Sequence, residues 1–427
     1  MIDRIFATYL LETPLELERA VRALASEGST GTFVAVPGET DAVRTRFGTR
    51  LEALEELAPF ERVQLIGARG VPADGPTTVR RARVTISVPL ELTGTDLATV
   101  GACLLGNVFE LSEVSGIRLE DVRFPASLLR ACPRPRFGVR GTRELLGVQE
   151  RPIFGSIVRP ALGLRPDETA AAVRELLDAG IDFVKDDELM ANPVYSPLHE
   201  RVAAVQRVVE EHADRTGRRA IYAFNITDEP DAMLRHQDAI QVAGGVCAQV
   251  NIVHVGLSAV AHLRRHGDVL IHGHRTGWAM QTRSPGLGMG CRAHAALWRL
   301  AGVDHMIVTG LRNKYWESDA SALEAIDACL DPLLSDEDRA LPVVAAGQWA
   351  GQIPDTYAAA GTSDWLHLAG AGVTSHPDGP AAGVRSLEQA WEAARRGTPL
   401  AACAAAQAPE LAAAIAAFDD ARPAVTT

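Results

Sequence analysis

Lysine is nearly missing from this chain. Of 42 basic residues among 427, two are lysines, Lys185 and Lys314, and the remaining forty are arginines. The six cysteines (Cys103, Cys132, Cys247, Cys291, Cys329 and Cys403) show no Cys-x-x-Cys spacing, so neither a disulfide framework nor a zinc site is expected. No run of about 18 apolar residues occurs, because Glu410 and Asp419 interrupt the alanine-rich tail. The opening MIDRIFATYLLETP lacks the basic start and apolar stretch of a signal peptide. Positive charge is in deficit: a net charge of −12 argues against a partner made of phosphates in series, such as nucleic acid. These absences leave the expectation of a soluble, cytoplasmic protein acting on a small molecule. A hydrophobic fraction of 47% is enough for a packed core, and 427 residues suggest two domains or one barrel-sized domain with an addition.

The lysine count carries information of its own. With abundant alanine and glycine, it reads as a coding bias that replaces lysine wherever arginine will serve. A lysine that persists marks a place where a primary amine is needed, since a buried amine can lose its proton and a guanidinium cannot. Chance survival at two neutral sites is the bland alternative.

Residues 1–130 give a mixed pattern. Helices are expected over 13–25, with Thr13 as N-cap and Pro14 at the first position, and over 97–111. Strands are expected at 32–36, 61–68 and 81–89, the last alternating through RARVTISV. This suggests an α+β, ferredoxin-like domain with an antiparallel sheet. The proline-rich FPASLLRACPRPRFG (124–138) reads as a linker. Beyond it, over 131–427, short apolar runs alternate with helical segments. The runs are IFGSIV (153–158), IDFVK (181–185), AIYAFN (220–225), AQVNIVH (248–254), VLIHGH (269–274), DHMIV (304–308), PVVAA (342–346) and DWLHLA (364–369). Helices are expected at 167–179, 258–265, 293–301 and 321–330. Eight strand-then-helix units over about 250 residues predict a closed (β/α)8 barrel of the TIM type, which keeps its chemistry at the C-terminal strand ends.

The second strand ends in Lys185-Asp186-Asp187-Glu188. Alternation points Lys185 and Asp187 the same way, with Glu188 at the turn. Acids crowded on one buried lysine repel one another unless a cation joins them. Oxygen ligands suit Mg²⁺, and a neutral lysine that adds CO₂ would supply one more anionic oxygen. Among the histidines, His272 and His274 share a face of the fifth strand, and His274 beside Arg275 is the stronger candidate. His254 and His367 are left open between pocket and core, and His199, His236, His262 and His266 are expected at the surface. GLGMG (286–290) is read as a loop, since no strand–turn–helix frames it.

GIDFVKDDE resembles the metal-binding motif of the RuBisCO large subunit, and the similarity extends over nearly the whole chain. The resemblance implies a carbamylated Lys185 that holds Mg²⁺ together with Asp187 and Glu188. EGSTGTF (27–33) is similar to the segment that completes a neighbouring subunit's active site, which implies a homodimer, or an assembly of dimers, with Glu27, Thr32, Phe33 and Asn107 at a shared site; no small subunit is expected. HGHR (272–275), VDHMI (303–307) and GAGVTSHPDG (370–379) match strands five, six and eight, and Lys314 falls on the mobile-loop lysine.

The departures are equally informative. Arg159 stands where the family keeps its strand-one base, and Ala161 where it keeps another lysine. Ile307, Ala345 and Trp278 replace phosphate-site residues, leaving Arg275 alone at that end. Thr32, Gly347, Gly370, Gly372 and Lys314 retain the other phosphate site. A guanidinium cannot abstract a proton, so carbon fixation is not expected. The reading is that of a RuBisCO-like protein with Mg²⁺-dependent enolisation-type chemistry. Isomerisation, tautomerisation, decarboxylation or carboxyl transfer would act on a monophosphorylated ketose or keto-acid bound partly by Arg159 and Arg275. Lys185, His274 and Lys314 are the candidate catalytic residues, and the base stays open between the Lys185 carbamate, a hydroxide and Lys314. A Schiff-base aldolase using Lys185 and a non-catalytic scaffold are the alternatives.

Overall fold

The computed structural model describes residues 3–30, 37–61, 63–71 and 77–419. The chain divides into two compact units, Met1–Pro133 with Gly277–Ala301, and Arg134–Thr276 with Gly302–Thr427.

The first unit is built on a five-stranded sheet. Its strands are β1 (Arg4–Thr13), β2 (Arg50–Phe60), β3 (Val79–Pro89) and β4 (Gly116–Arg123), joined by the later β10 (Leu287–Met289) in the order β10-β4-β1-β3-β2. Neighbours are antiparallel except for the β10–β4 pair. Period-two alternation buries Ile5, Ala7, Tyr9 and Leu11 of β1 and Ala82, Val84, Ile86 and Val88 of β3. The helix Leu17–Glu27 buries Leu17, Ala20, Val21 and Leu24, a single helical face.

Several expectations are corrected here. The first helix starts at Leu17 because Thr13 ends β1. The Thr13 hydroxyl accepts from the Leu15 amide at 3.1 Å and donates to the Glu113 carbonyl at 2.6 Å, so it caps a turn. Among the described residues of 61–68 no strand forms; the strand before them, β2, ends at Phe60. The strand expected at 32–36 lies outside the described residues. The helix expected over 97–111 stops at Leu105 and gives way to a 3₁₀ turn, Asn107–Phe109. The proline-rich linker contains a short helix, Ala126–Ala131. GLGMG contributes β10, and Gly288 is required there: φ is +109° and a Cβ would sit 1.8 Å from the Gln281 carbonyl oxygen. Because β10 extends this sheet, the segment 277–301, expected within the barrel domain, belongs to the first unit.

The second unit is a closed eight-stranded parallel barrel. Its strands are β5 (Ile153–Ile157), β6 (Phe183–Lys185), β7 (Ile221–Asn225), β8 (Cys247–Asn251), β9 (Leu270–His274), β11 (His305–Thr309), β12 (Leu341–Ala345) and β13 (Leu366–Leu368), with β9 pairing to β11 and β13 to β5. All eight fall on the apolar runs seen in the sequence. Both faces of such strands are covered, which is why they read as continuous hydrophobic stretches. Ile153, Phe183, Ile221, Leu270, Leu341, Val343, Leu366 and Leu368 fill the interior, each contributing roughly 1.5–3 kcal/mol when fully buried. Val139 and Leu146, on the helix Gly138–Leu146, join the same cluster. The start of that helix is held by one carboxylate: Asp304 Oδ1 accepts from the amides of Arg136, Phe137 and Gly138 at 2.8, 2.7 and 3.1 Å. Among the described residues, no helix is long and apolar enough to cross a membrane.

Candidate active site

The site grows from the alternation of β6. Phe183 points into the barrel core, so Lys185 points inward too, and its side chain is fully buried. Asp186 turns the other way. Its carboxylate accepts from Tyr222 Oη at 2.5 Å, the Asn225 amide at 2.9 Å and Arg201 Nη2 at 3.2 Å. Of the acids around Lys185, Asp186 is therefore spent on holding the barrel wall to the helix Leu198–Thr216. Asp187 and Glu188 remain for the site.

Lys185 Nζ donates to the Asp186 carbonyl at 2.6 Å and lies 3.8 Å from Glu188 Oε2. Burial lowers its pKa; Glu188, Asp187 and Asp186 oppose this, and Arg159 adds to it. Asp187 Oδ2 accepts from Arg159 Nη1 at 3.1 Å. The backbone of the turn is clamped by amides from the next strands. Asn225 Nδ2 donates to the carbonyls of Asp187 and Glu188, both at 3.0 Å, and Asn251 Nδ2 donates to that of Glu188 at 2.8 Å. Neither asparagine was singled out in the sequence, although Asn225 closes one apolar strand run and Asn251 interrupts the next. His274 ends β9 with Nε2 at 3.4 Å from Glu188 Oε2. Its Nδ1 accepts from the Thr276 amide at 3.2 Å, which leaves the proton on Nε2, and lies 2.5 Å from the Thr276 hydroxyl. Burial holds its pKa well below 6.5, with the Lys185 and Arg275 cations pushing the same way, so the ring is a neutral donor.

The ends of β5, β12 and β13 meet nearby. A Cβ on Gly370 would lie 3.8 Å from Arg159 Nη2, so the guanidinium sits between Asp187 and the start of the turn Gly370–Thr374. Gly372 packs on the segment after β12, where a Cβ would fall 2.6 Å from the Gln348 carbonyl oxygen. In that segment Gly347 has φ +79° and lies under the side chain of Lys314, whose amide donates to the Ala346 carbonyl at 3.2 Å. Lys314 itself is exposed. Arg159, Gly370, Gly372, Gly347 and Lys314 thus form one connected group.

Other candidates fall elsewhere. Arg275, expected to bind phosphate, is buried and donates to Glu317 Oε2 at 2.7 Å. Ile307 and Ala345 belong to the apolar core, and Trp278 meets His294 edge to face with ring centroids 4.5 Å apart. His272 is fully buried against Phe183 and meets His305, and His367 donates to the Trp349 carbonyl at 3.1 Å; both fill the core. His254 is exposed. In the first unit Asn107 Nδ2 donates to Glu27 Oε1 at 3.2 Å, while Thr32 and Phe33 lie outside the described residues.

Among the described residues no three His, Cys, Asp or Glu side chains assemble as a ready-made metal cluster. The donors at this site are instead two carboxylates and a lysine. The buried Gln249 Oε1 and Asn251 Oδ1 are further oxygens without a hydrogen-bond donor. An oxygen-rich set of this kind fits Mg²⁺ once Lys185 carries CO₂, and burial favours the neutral amine to which CO₂ adds.

The ribulose bisphosphate carboxylase large chain models match this sequence twice, the N-terminal domain over residues 3–128 and the catalytic domain over 138–418. The chain belongs to the RuBisCO large-chain family. Within that family it is 46% identical to a 3-oxo-isoapionate-4-phosphate decarboxylase of Rhizobium rhizogenes, over 97% of this chain and 99% of that one. It is 44% identical to a 3-oxo-isoapionate-4-phosphate transcarboxylase/hydrolase of Xanthobacter autotrophicus, over 94% and 96%. A solved RuBisCO-like protein from Burkholderia fungorum superposes with a TM-score of 0.90 at 43% identity, covering 97% of this chain and all of the other. The chain is an enzyme of the RuBisCO-like group.

Proposed function

We propose that the barrel decarboxylates a monophosphorylated 3-oxo sugar acid of the 3-oxo-isoapionate-4-phosphate type, with Mg²⁺ and a carbamylated Lys185. The observation that carries this reading is Arg159, a permanent cation held between Asp187 and Gly370. Enolisation needs a base at carbon, and a guanidinium cannot serve as one. Loss of CO₂ from a β-keto acid needs none. The bond to the carboxyl carbon breaks, its electron pair becomes the enolate beside the 3-oxo group, and a proton then returns to carbon. Charge stabilisation replaces proton abstraction, so an arginine is suited where a lysine base would be idle.

Lys185, Asp187 and Glu188 would hold the metal, which when bound supplies Lewis-acid stabilisation of the negative charge that develops on oxygen. His274 presents its neutral Nε2–H to the same oxygens. The glycine turn at Gly370–Gly372 and the Gly347 segment receive the single phosphate, with Arg159 on one side and Lys314 on the other. Glu27, Thr32 and Asn107 of a second copy complete the site, making the working unit a homodimer.

The test is CO₂ release from 3-oxo-isoapionate 4-phosphate, assayed with Mg²⁺ and bicarbonate. Metal-dependent release with ordinary enzyme turnover is expected, with no fixation of labelled CO₂ into ribulose bisphosphate. Deuterium uptake into a substrate that keeps its carboxyl group would point to enolisation instead, and an active monomer in sedimentation would remove the shared site.

A further inference from the structure

The loop that carries Lys314 also carries a carboxylate that the decarboxylation reading leaves unused. Glu317, three residues further on, is buried. Its Oε2 accepts from Arg275 Nη2 at 2.7 Å and from the Thr309 hydroxyl at 2.6 Å, and its Oε1 accepts from the Ser321 hydroxyl at 2.8 Å. Asn313 closes the loop around it, donating through Nδ2 to the Gly310 carbonyl at 3.1 Å and the Glu317 carbonyl at 2.8 Å. Three donors from the end of β9, the end of β11 and the helix Asp319–Leu330 thus converge on one carboxylate. That is the surrounding a bound anion would be given: a guanidinium and two hydroxyls in a buried setting. Arg275 directly follows His274, whose ring faces Glu188, so this anion position lies at the same end of the barrel as the reacting group.

We propose that Glu317 is a specificity-determining residue: a built-in anion that fills the position Arg275, Thr309 and Ser321 would otherwise offer to a second anionic group of the substrate. The inference rests on the reading that one phosphate is bound beside Gly347 and Gly370. With Glu317 in place, a second phosphate would meet a carboxylate at close range; without it, the same phosphate would meet a buried cation with two hydroxyls. Discrimination between substrates is then built by repulsion as well as by attraction.

The test uses ligands that cannot react, so it is independent of turnover. Ribitol phosphate and ribitol bisphosphate are titrated calorimetrically into the full-length protein, wild type and Glu317→Ala, and melting temperatures are measured with and without inorganic phosphate. Wild type should bind the monophosphate at least as tightly as the bisphosphate. In Glu317→Ala the preference should swing toward the bisphosphate by about tenfold or more, and inorganic phosphate should raise the variant's melting temperature by more than that of wild type. If Glu317→Ala does not fold, Glu317→Gln keeps the shape and removes the charge, and the same swing is expected with smaller amplitude. An unchanged ratio in a folded variant overturns the proposal, as does equal stabilisation of wild type and variant by phosphate. Failure of the monophosphate to bind both wild type and variant would instead strike the single-phosphate reading on which the inference stands.

Discussion

Replacing Lys185 by arginine separates charge from chemistry at the centre of the site. Lys185 is fully buried, so the larger guanidinium must be accommodated by a packed barrel. Overpacking of this kind costs about 1–3 kcal/mol, and the neighbouring carboxylates of Asp187 and Glu188 recover part of that by pairing with the new cation. Against a typical stability of about 5–15 kcal/mol, the variant should fold. Activity is another matter, because a guanidinium cannot add CO₂ and would itself occupy the cation's place between the two acids. A loss of at least about 10³ in kcat/KM is expected, or roughly 4 kcal/mol of transition-state stabilisation. A second readout needs no substrate. With bicarbonate and Mg²⁺ at about 100 times Kd, wild type should gain about 2.7 kcal/mol of stability, a rise of several degrees in melting temperature, and Lys185→Arg should gain none. Scanning calorimetry and a Mg²⁺ titration of turnover make both measurements. Wild-type turnover with Mg²⁺ in the arginine variant would refute the carbamate and most of the mechanism built on it.

Three further outcomes follow from particular contacts. Lys314→Arg should change stability by no more than about 0.5 kcal/mol, since Lys314 is exposed, but should raise KM several-fold by altering how the side chain lies over Gly347; an unchanged KM would remove Lys314 from the phosphate site. Gly372→Ala forces a methyl to 2.6 Å from the Gln348 carbonyl oxygen and 2.7 Å from Trp349 Cβ, so urea unfolding should show a loss of about 1–3 kcal/mol, and no loss would mean that this backbone contact yields freely. His305 and His367 are buried, and burial lowers each from 6.5 to about 4. The folded state therefore favours the neutral rings, so their contribution is complete above pH 6.5 and is lost as the pH falls toward 4. The loss is roughly 3 kcal/mol for each ring, and a denaturant-derived stability that stays flat between pH 7 and 4 would contradict it.

How much was legible depended on whether the determining contact was local. The barrel strands were readable because a strand covered on both faces is an uninterrupted apolar run, and a run such as IDFVK ending in a charged residue marks the reactive end. Lys185 stood out by scarcity, and alternation along the strand separated it and Asp187 from Asp186. The sheet of the first unit was harder. β2, RLEALEELAPF, carries leucine at every third position, a helical period, yet it is an exposed strand because it pairs with β3 over most of its length. Long-range pairing overrode local pattern there. Thr13 looked like a helix cap and caps a turn, since its hydroxyl donates to the backbone carbonyl of Glu113, one hundred residues away.

The same distinction explains what was missed in the site. Arg275 was assigned to phosphate through the family resemblance of HGHR, but its partner Glu317 lies 42 residues further along and no spacing rule connects them. The two charges that distinguish this barrel act in opposite senses. In the proposed mechanism Arg159 adds a fixed positive charge where proton abstraction would need a base, and in the proposed specificity Glu317 adds a fixed negative charge where a second anion would need an opening. Both charges lie beyond the strands β5 and β11 that lead to them, and neither belongs to the apolar cluster of Phe183, Ile221 and Leu341 inside the barrel. A scaffold stabilised by interior packing can therefore change reaction and substrate charge together, because the residues that set them contribute little to the burial that holds it closed.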